Sequence, residues 1–503
     1  MKTTRPLEHP ANEKTFTRLA FTRSLIACVL IAGLSACGGS SSDSPADAPD
    51  SSDPVDDGGS QDENDGVDPV GDEPPANALL LQAYDPTNGK ELWISDGTEG
   101  GNTLVKDING AGGDSEPGPF IAVGDTTFFA ATTDAHGREL WKTDGTAAGT
   151  ELVKDINPGG ENSLPTEMAV FDGMLYFSAF DTINGRELWR SDGTEAGTLP
   201  VKDINPGIDG SVPQELKAFN GELYFMANDG GNEINANNAE LWKTDGTGDG
   251  TVLVKDINPF GVSDPRDMTV LNSKLYFRTR NVQGGIWTTD GTEAGTALVK
   301  ELNSVSSLTL FNNMIYFAAD DGDTGIELWR TDGSTDGTVL VRDIHPDGNS
   351  VPSQLQVLNN TLFFVARTAD TGRELWKSDG SQAGTELVKD IHSGATGDGN
   401  ADPQHLTVVG DTLYFAAEQD ANDATGAINN GVWKTDGSEG GTVLVEDSFL
   451  ALEMIAFNNA LYLSGGSPYE LWKSNDTGDG LDKLSDFNTN APGVPPKHLF
   501  VTP

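Results

Sequence analysis

The sequence predicts an all-β fold, a β-propeller of nine four-stranded antiparallel blades. Three observations lead there. First, the stretch from Gly137 to Ile156 recurs in variant form nine times. The nine tryptophans (Trp93, Trp141, Trp189, Trp242, Trp287, Trp329, Trp376, Trp433 and Trp472) hold one equivalent place in each copy. Their spacing runs from 39 residues (Trp433 to Trp472) to 57 (Trp376 to Trp433), the range of stacked supersecondary units. Second, each copy reads as four short strands. Third, the two ends of the array complement one another.

The chain begins with an address. Lys2, Arg5, Lys14, Arg18 and Arg23 precede the short apolar run from Ser24 to Ala36. A basic segment followed by a short apolar one reads as a secretory signal, and this one is too short to span a bilayer comfortably as a helix. Leu34-Ser35-Ala36-Cys37-Gly38 resembles the bacterial lipobox. That resemblance implies cleavage before Cys37, lipid attachment to its sulfur and, with Gly38 and Ser40 rather than aspartate next, sorting to the outer membrane of the cell envelope. The expected boundaries are a signal at 1–36, a lipidated Cys37 with an acidic tether to residue 77, and the repeat body at 78–503.

Residues 38–77 carry 12 acidic side chains and no Lys or Arg. With so few large apolar groups, such a segment cannot offset its ordering entropy and is expected to be a self-repelling linker. The whole chain of 503 residues has 31 basic and 78 acidic side chains, a formal charge of −47. Subtracting the signal (5 basic, 2 acidic) and the tether leaves 26 basic and 64 acidic groups in the body, a net of −38. This balance excludes nucleic acid as a partner, because phosphates need cationic neutralisation. It suits a solvated acidic surface outside the cytoplasm. Cys28 and Cys37 are the two cysteines, so the body has no disulfide framework.

The third copy shows the unit. Glu167–Phe171 is followed by the hairpin tip Asp172-Gly173, and Met174–Ala179 is the second strand. Arg186–Arg190 is the third, Ser191–Thr198 a turn, and Leu199–Ile204 the fourth. The tip recurs as Asn220-Gly221, Asn272-Ser273, Asn312-Asn313, Asn359-Asn360 and Asn458-Asn459, residues that tolerate positive φ. Four such strands per copy is the content of a propeller blade. Helical periodicity is absent from the body, and an open β-solenoid is the alternative. The first copy begins at Leu79 with a second strand, and Lys497–Val501 resembles the first strand of a later copy. The chain end can therefore complete the first blade and remove a sheet edge.

The repeated residues read as architecture. Each Trp and its aliphatic predecessor are expected to fill the space between blades. Asp three places after Trp, in eight copies from Asp96 to Asp436, suits a turn that accepts backbone N–H groups. Gly eight places after Trp, from Gly101 to Gly480, suggests a left-handed or bulge position. Glu two places before Trp occurs seven times, and a cation commonly stands thirteen after it. Facing strands would pair them at the surface, as Glu139 with Lys154.

The motif Glu139-Leu-Trp-Lys-Thr-Asp-Gly-Thr146 and its relatives resemble the ELWxxDGT repeat of bacterial secreted and surface proteins, over roughly residues 85–490. The resemblance implies a repeat fold outside the cytoplasm and no agreed enzymatic activity.

Functional residues are then sought where the repeat breaks. Arg278 and Arg280 stand beside Gly284-Gly285-Ile286-Trp287. Asp229 and Glu233 lie in one lengthened loop, and Asp398, Asp402, Glu418 and Asp420 in two more. These eight are the candidate binding residues. The Asp/Asn/Gly loops offer oxygen ligands of the kind calcium prefers, making calcium the one cofactor suggested, although no Asp-x-Asp-x-Asp-Gly loop occurs. His345 and His392 replace turn residues equivalent to Asn157 and Asn205 and have no metal-ligand spacing. No Gly-x-Ser-x-Gly elbow or cysteine nucleophile is present in the body. The expected function is a lipid-anchored, non-catalytic surface module that binds a protein or glycan. A carbohydrate-active enzyme and a calcium-stabilised assembly protein are the alternatives.

Overall fold

The computed structural model describes residues 77–230, 238–280, 284–393, 399–419, 429–485, 487 and 494–503. The signal, Cys37 and the tether lie outside them. The body is a ring of nine four-stranded antiparallel sheets. Blade 3 has strands Thr166–Phe171, Met174–Asp181, Gly185–Ser191 and Leu199–Lys202, paired in that order. The first strands of neighbouring blades approach one another, so they surround the axis, and the fourth strands form the outer wall.

Local chemistry sets each turn. Asn312 and Asn313 sit at φ 50° and 57°, and Asp172 and Gly173 at 48° and 71°, the two successive left-handed residues of a type I′ hairpin. At the other turn, Asp144 Oδ1 accepts the N–H of Thr146 at 2.8 Å and its hydroxyl at 2.7 Å. The left-handed residue there is Gly145, φ 93°, directly after the aspartate. Gly149, eight past Trp141, does not have positive φ, which corrects the expectation for that position. A Cβ on Gly149 would lie 2.1 Å from Asp144 Oδ1, so this glycine makes room for the turn carboxylate.

Nine apolar clusters hold the ring, one at each seam. Between blades 2 and 3, Phe128, Leu140, Val153 and Ile156 meet Leu175, Phe177, Ala179 and Trp189. Strand alternation explains the division of labour: Trp189 faces back to blade 2, while Leu188 faces forward to blade 4.

The seven glutamates two places before Trp are buried, contrary to the expected surface pairing. Glu139 accepts the N–H of Ile156 at 2.9 Å and, from Ser163, the N–H at 2.9 Å and the hydroxyl at 2.6 Å. It latches the crossing segment to its own blade. Glu91 and Glu327 make the same set, with Ile108 and Ser115 and with Ile344 and Ser350, and Glu187 accepts from Ser211 in the same way but from the Asn205 N–H. Burial pushes the Glu139 carboxyl up to about 7, and the bonds from Ser163 and Ile156 oppose this. Glu374 goes up to about 8, and its crossing has Ala401 where those of Glu91, Glu139, Glu187, Glu240 and Glu327 have serine.

The register explains the misassigned pair. Trp141 pairs with Leu152, which alone would put Glu139 opposite Lys154. A bulge then shifts the pairing so that Leu140 faces Lys154. Lys154 instead reaches the next blade and donates to the carbonyl oxygen of Thr198 at 3.0 Å. Lys106, Lys202, Lys255, Lys300, Arg342 and Lys389 make the same inter-blade bond to Thr150, Thr251, Thr296, Thr338, Thr385 and Thr442. Lys300, Arg342 and Lys389 also lie over the next blade's tryptophan, at 5.1, 5.8 and 5.7 Å from the ring centroids of Trp329, Trp376 and Trp433.

The ring closes as the sequence predicts. Lys497–Val501 pairs with Leu79–Asp85, with Leu79 opposite Val501. Thr502 donates its N–H to the Ala78 carbonyl at 2.9 Å, and its hydroxyl oxygen accepts the Ala78 N–H at 2.9 Å.

Candidate binding surface

Antiparallel connection divides the loops between two rims. Hairpin tips and Asp-Gly turns share one. Loops joining second to third strands, and crossings between blades, share the other. Every off-repeat segment singled out in the sequence joins strand ends on that second rim: after Asn228, after Thr279, between Lys389 and Gln404, and between Gln419 and Asn429. Loops on a rigid ring are the usual carriers of binding function.

The candidate residues have different surroundings. Glu233, Asp398 and Asp420 lie outside the described residues. Arg278 is 9 % exposed and donates from Nε to Asp267 Oδ2 at 2.7 Å. It belongs to an axial chain in which Glu167 Oε2 accepts the Glu215 N–H at 3.0 Å, Glu215 Oε2 the Asp267 N–H at 3.0 Å, and Asp267 Oδ2 the Ser307 N–H at 3.2 Å. Arg278 is thus wedged between inner strands as a counter-charge. The Arg280 side chain is 63 % exposed, with Asp264 Oδ2 3.6 Å from its Nε, and is open to a partner. Asp402 pairs with Arg373 Nε at 3.1 Å, and Glu418 donates its N–H to the Ala401 carbonyl at 2.7 Å. Asp229 Oδ1 accepts the Asn238 side-chain N–H at 3.2 Å. Asp229 also adds to the upward push that burial gives the nearby Asp256 carboxyl. Arg280 and Asp264 sit on blade 5, and Asp402 and Glu418 on blade 8, so the structure places these residues on one rim without gathering them into one constellation. Among the described residues, no group of three or more His, Cys, Asp or Glu side chains converges to hold a metal ion. His392 Nδ1 lies 2.9 Å from the Asn400 carbonyl oxygen, the place the Asn205 amide takes towards the Gly210 carbonyl oxygen at 2.8 Å.

Two hollows adjoin blade 1. One of about 300 Å³ lies near the axis beside Lys90, Arg138, Lys497 and His498. Lys90 is taken up by Glu116 at 2.8 Å and Asp114 at 2.9 Å, and Arg138 by the carbonyls of Glu116 and Gly118 at 2.7 and 2.5 Å. The other, of about 600 Å³, opens on the outer wall at the seam of blades 9 and 1, walled by Asp85, Trp93, Glu99, Asn102, Lys483 and Phe487 among others. Its origin is a local break in the repeat. Thirteen residues past Trp472 stands Ser485 instead of Lys or Arg, so no cation from that position reaches over Trp93. The blade 9 fourth strand is only Leu481–Lys483. Trp93 is accordingly part-buried, as is Trp472, which follows Glu446 at the same position of blade 8, while the other tryptophans are 4–8 % exposed. Phe487 holds it edge-on at 5.2 Å and 79°. A third hollow of about 720 Å³ shares Glu99, Lys483 and Leu484 and continues past Asp476 and Asp482 towards the turn rim. The sequence reading overlooked this seam, although Ser485 was visible as an exception at a cationic position.

No protein-family model and no curated sequence matches the chain. Among solved structures, it is similar to the computationally designed Ika8 protein, at 15 % identity over 70 % of this chain and 93 % of that one, with a TM-score of 0.39. It is also similar to puromycin hydrolase, at 14 % identity over 70 % of this chain and 59 % of that one, TM-score 0.39. A prolyl endopeptidase structure shows 14 % identity over 72 % of this chain and 54 % of that one, TM-score 0.38. The chain thus spans little more than half the length of these two hydrolytic proteins.

Proposed function

We propose that the protein is a lipid-anchored propeller of the bacterial outer membrane that acts as a non-catalytic binding module at the cell surface. One observation carries the binding reading: the segments that break the repeat leave from a single rim of a ring whose other positions are committed to architecture. The lipobox ending in Cys37, the acidic tether and the resemblance to ELWxxDGT surface proteins support the address. The partner is a protein or a glycan, and the net charge of the body disfavours polyanions.

The test has two arms. Wild-type protein in cells should fractionate with outer membranes and carry lipid, while Cys37→Ser should be released and globomycin should accumulate precursor. Partition of Cys37→Ser with membranes would overturn the anchor. Replacing residues 229–237 and 419–429 with short blade-type turns should abolish partner capture from the cell surface without changing the fold. Unchanged capture would overturn the role of the rim.

A further inference from the structure

We propose that the outer-wall cleft between blades 9 and 1 is a binding site for a neutral oligosaccharide, distinct from the lengthened loops of the rim. The cleft is a built feature of one seam. At the seven seams where a cation stands thirteen past Trp, its side chain crosses to the next blade's turn carbonyl, as Lys154 does to Thr198. Three replacements open the last seam. Ser485 takes the cation position and accepts the Leu471 N–H at 3.4 Å within its own blade. Lys483 pairs with Trp472 where seven of the other eight fourth strands place leucine, as Leu444 with Trp433. Asn102 stands where blades 2 to 8 have threonine, as at Thr150.

The walls match the two-sided chemistry of a sugar. Trp93, part-exposed and fixed by Phe487, offers a rigid aromatic surface on which the C–H face of a pyranose stacks. Around it, Asp85 and Glu99 supply acceptors and Lys483 supplies donors for hydroxyl groups. Asn102 is held in place by its amide, which donates to the Leu484 carbonyl at 2.9 Å. A concave site with an aromatic wall and a few oriented polar groups is the ordinary form of a small-ligand site. The adjoining hollow past Asp476 and Asp482 extends the cleft, which favours a chain of sugars over a single ring. Asp85, Glu99, Asp476 and Asp482 outnumber Lys473 and Lys483 along it, so uronic-acid, sulfated or phosphorylated glycans are repelled.

The experiment uses the mature chain with Cys37 replaced by serine, so that it is soluble. An array of neutral and acidic oligosaccharides is followed by calorimetry with the best neutral binder. Expected is binding to neutral members only. Trp93→Ala should lower affinity at least tenfold. Ser485→Lys, which restores the missing cation, should close the cleft and lower affinity similarly while leaving thermal stability equal or higher. That second variant separates loss of the site from loss of the fold. No neutral binder, a preference for acidic glycans or a cationic peptide, or undiminished binding by Ser485→Lys would each overturn the proposal. Replacing the rim loops should leave this binding unchanged, so the two sites are judged independently.

Discussion

Lys300 of blade 5 donates to the Thr338 carbonyl oxygen of blade 6 at 2.9 Å and lies 5.1 Å from the Trp329 ring centroid. One side chain thus fills a polar vacancy in the neighbouring turn and covers the neighbouring indole. Lys300→Met should keep the stem's packing and remove both charge contacts, lowering unfolding free energy by ~1–2 kcal/mol in urea titration. Equal stability of the two proteins would show that the ring does not depend on this contact.

The tryptophans test the seams. Trp189 is 5 % exposed and faces blade 2. Trp189→Ala should cost ~3–5 kcal/mol. Trp93→Ala, at the open seam, should cost clearly less. Parallel denaturation curves of the two variants check the ordering.

The turn makes a double-mutant prediction. A Cβ on Gly197 would lie 2.0 Å from Asp192 Oδ1. Gly197→Ala should destabilise by ~1–3 kcal/mol. Asp192→Ala should cost ~1 kcal/mol through the lost bonds to Thr194. Together they should cost less than the sum, because the second removes what the first strikes. Additive costs would show that the clash is relieved elsewhere.

The buried glutamates set a pH dependence. Glu91, Glu139, Glu187 and Glu240 are pushed up to about 7 by burial, from an ordinary value of 4.5. A carboxyl with a raised folded pKa binds its proton more tightly when folded. Between 4.5 and about 7 the folded chain holds protons the unfolded chain has released, so stability falls as pH rises through that window and levels off above it. The turn aspartates act elsewhere. Local hydrogen bonds hold Asp192 and Asp245 below 3.8, so their contribution is lost only as pH falls below that value. Melting temperature should therefore peak near pH 4–5 and decline towards pH 8. Glu374 is the extreme case, up to about 8. Ala401→Ser should supply the missing hydroxyl, lower that carboxyl and raise stability at pH 8 more than at pH 5.

The strands, the hairpin tips and the closing pair of termini were legible because each rests on local pattern: alternation, left-handed tip residues and the repeat phase. The fate of Glu139 was not legible, because one extra residue on the facing strand, Val153, opposite Leu140 and Trp141, moves Lys154 out of register with it. Gly149 was misread for a related reason: its constraint comes from Asp144, and only the fold brings them together. Arg278 broke the repeat yet proved to be an internal counter-charge for Asp267. The seam at Trp93 left a signal in Ser485, a quiet residue at a cationic position. The shared rim of the long loops required strand order, which motif spacing alone does not supply.

Blade 1 takes three strands from the start of the body and its inner strand from Lys497–Val501. A polypeptide delivered amino end first must therefore wait for its final stretch before the circle can shut. Until then Leu79–Asp85 presents an unpaired edge. The closing strand works as a length check: a copy cut short by a premature stop or a protease keeps a sticky margin, and only a chain extending through Val501 becomes a ring.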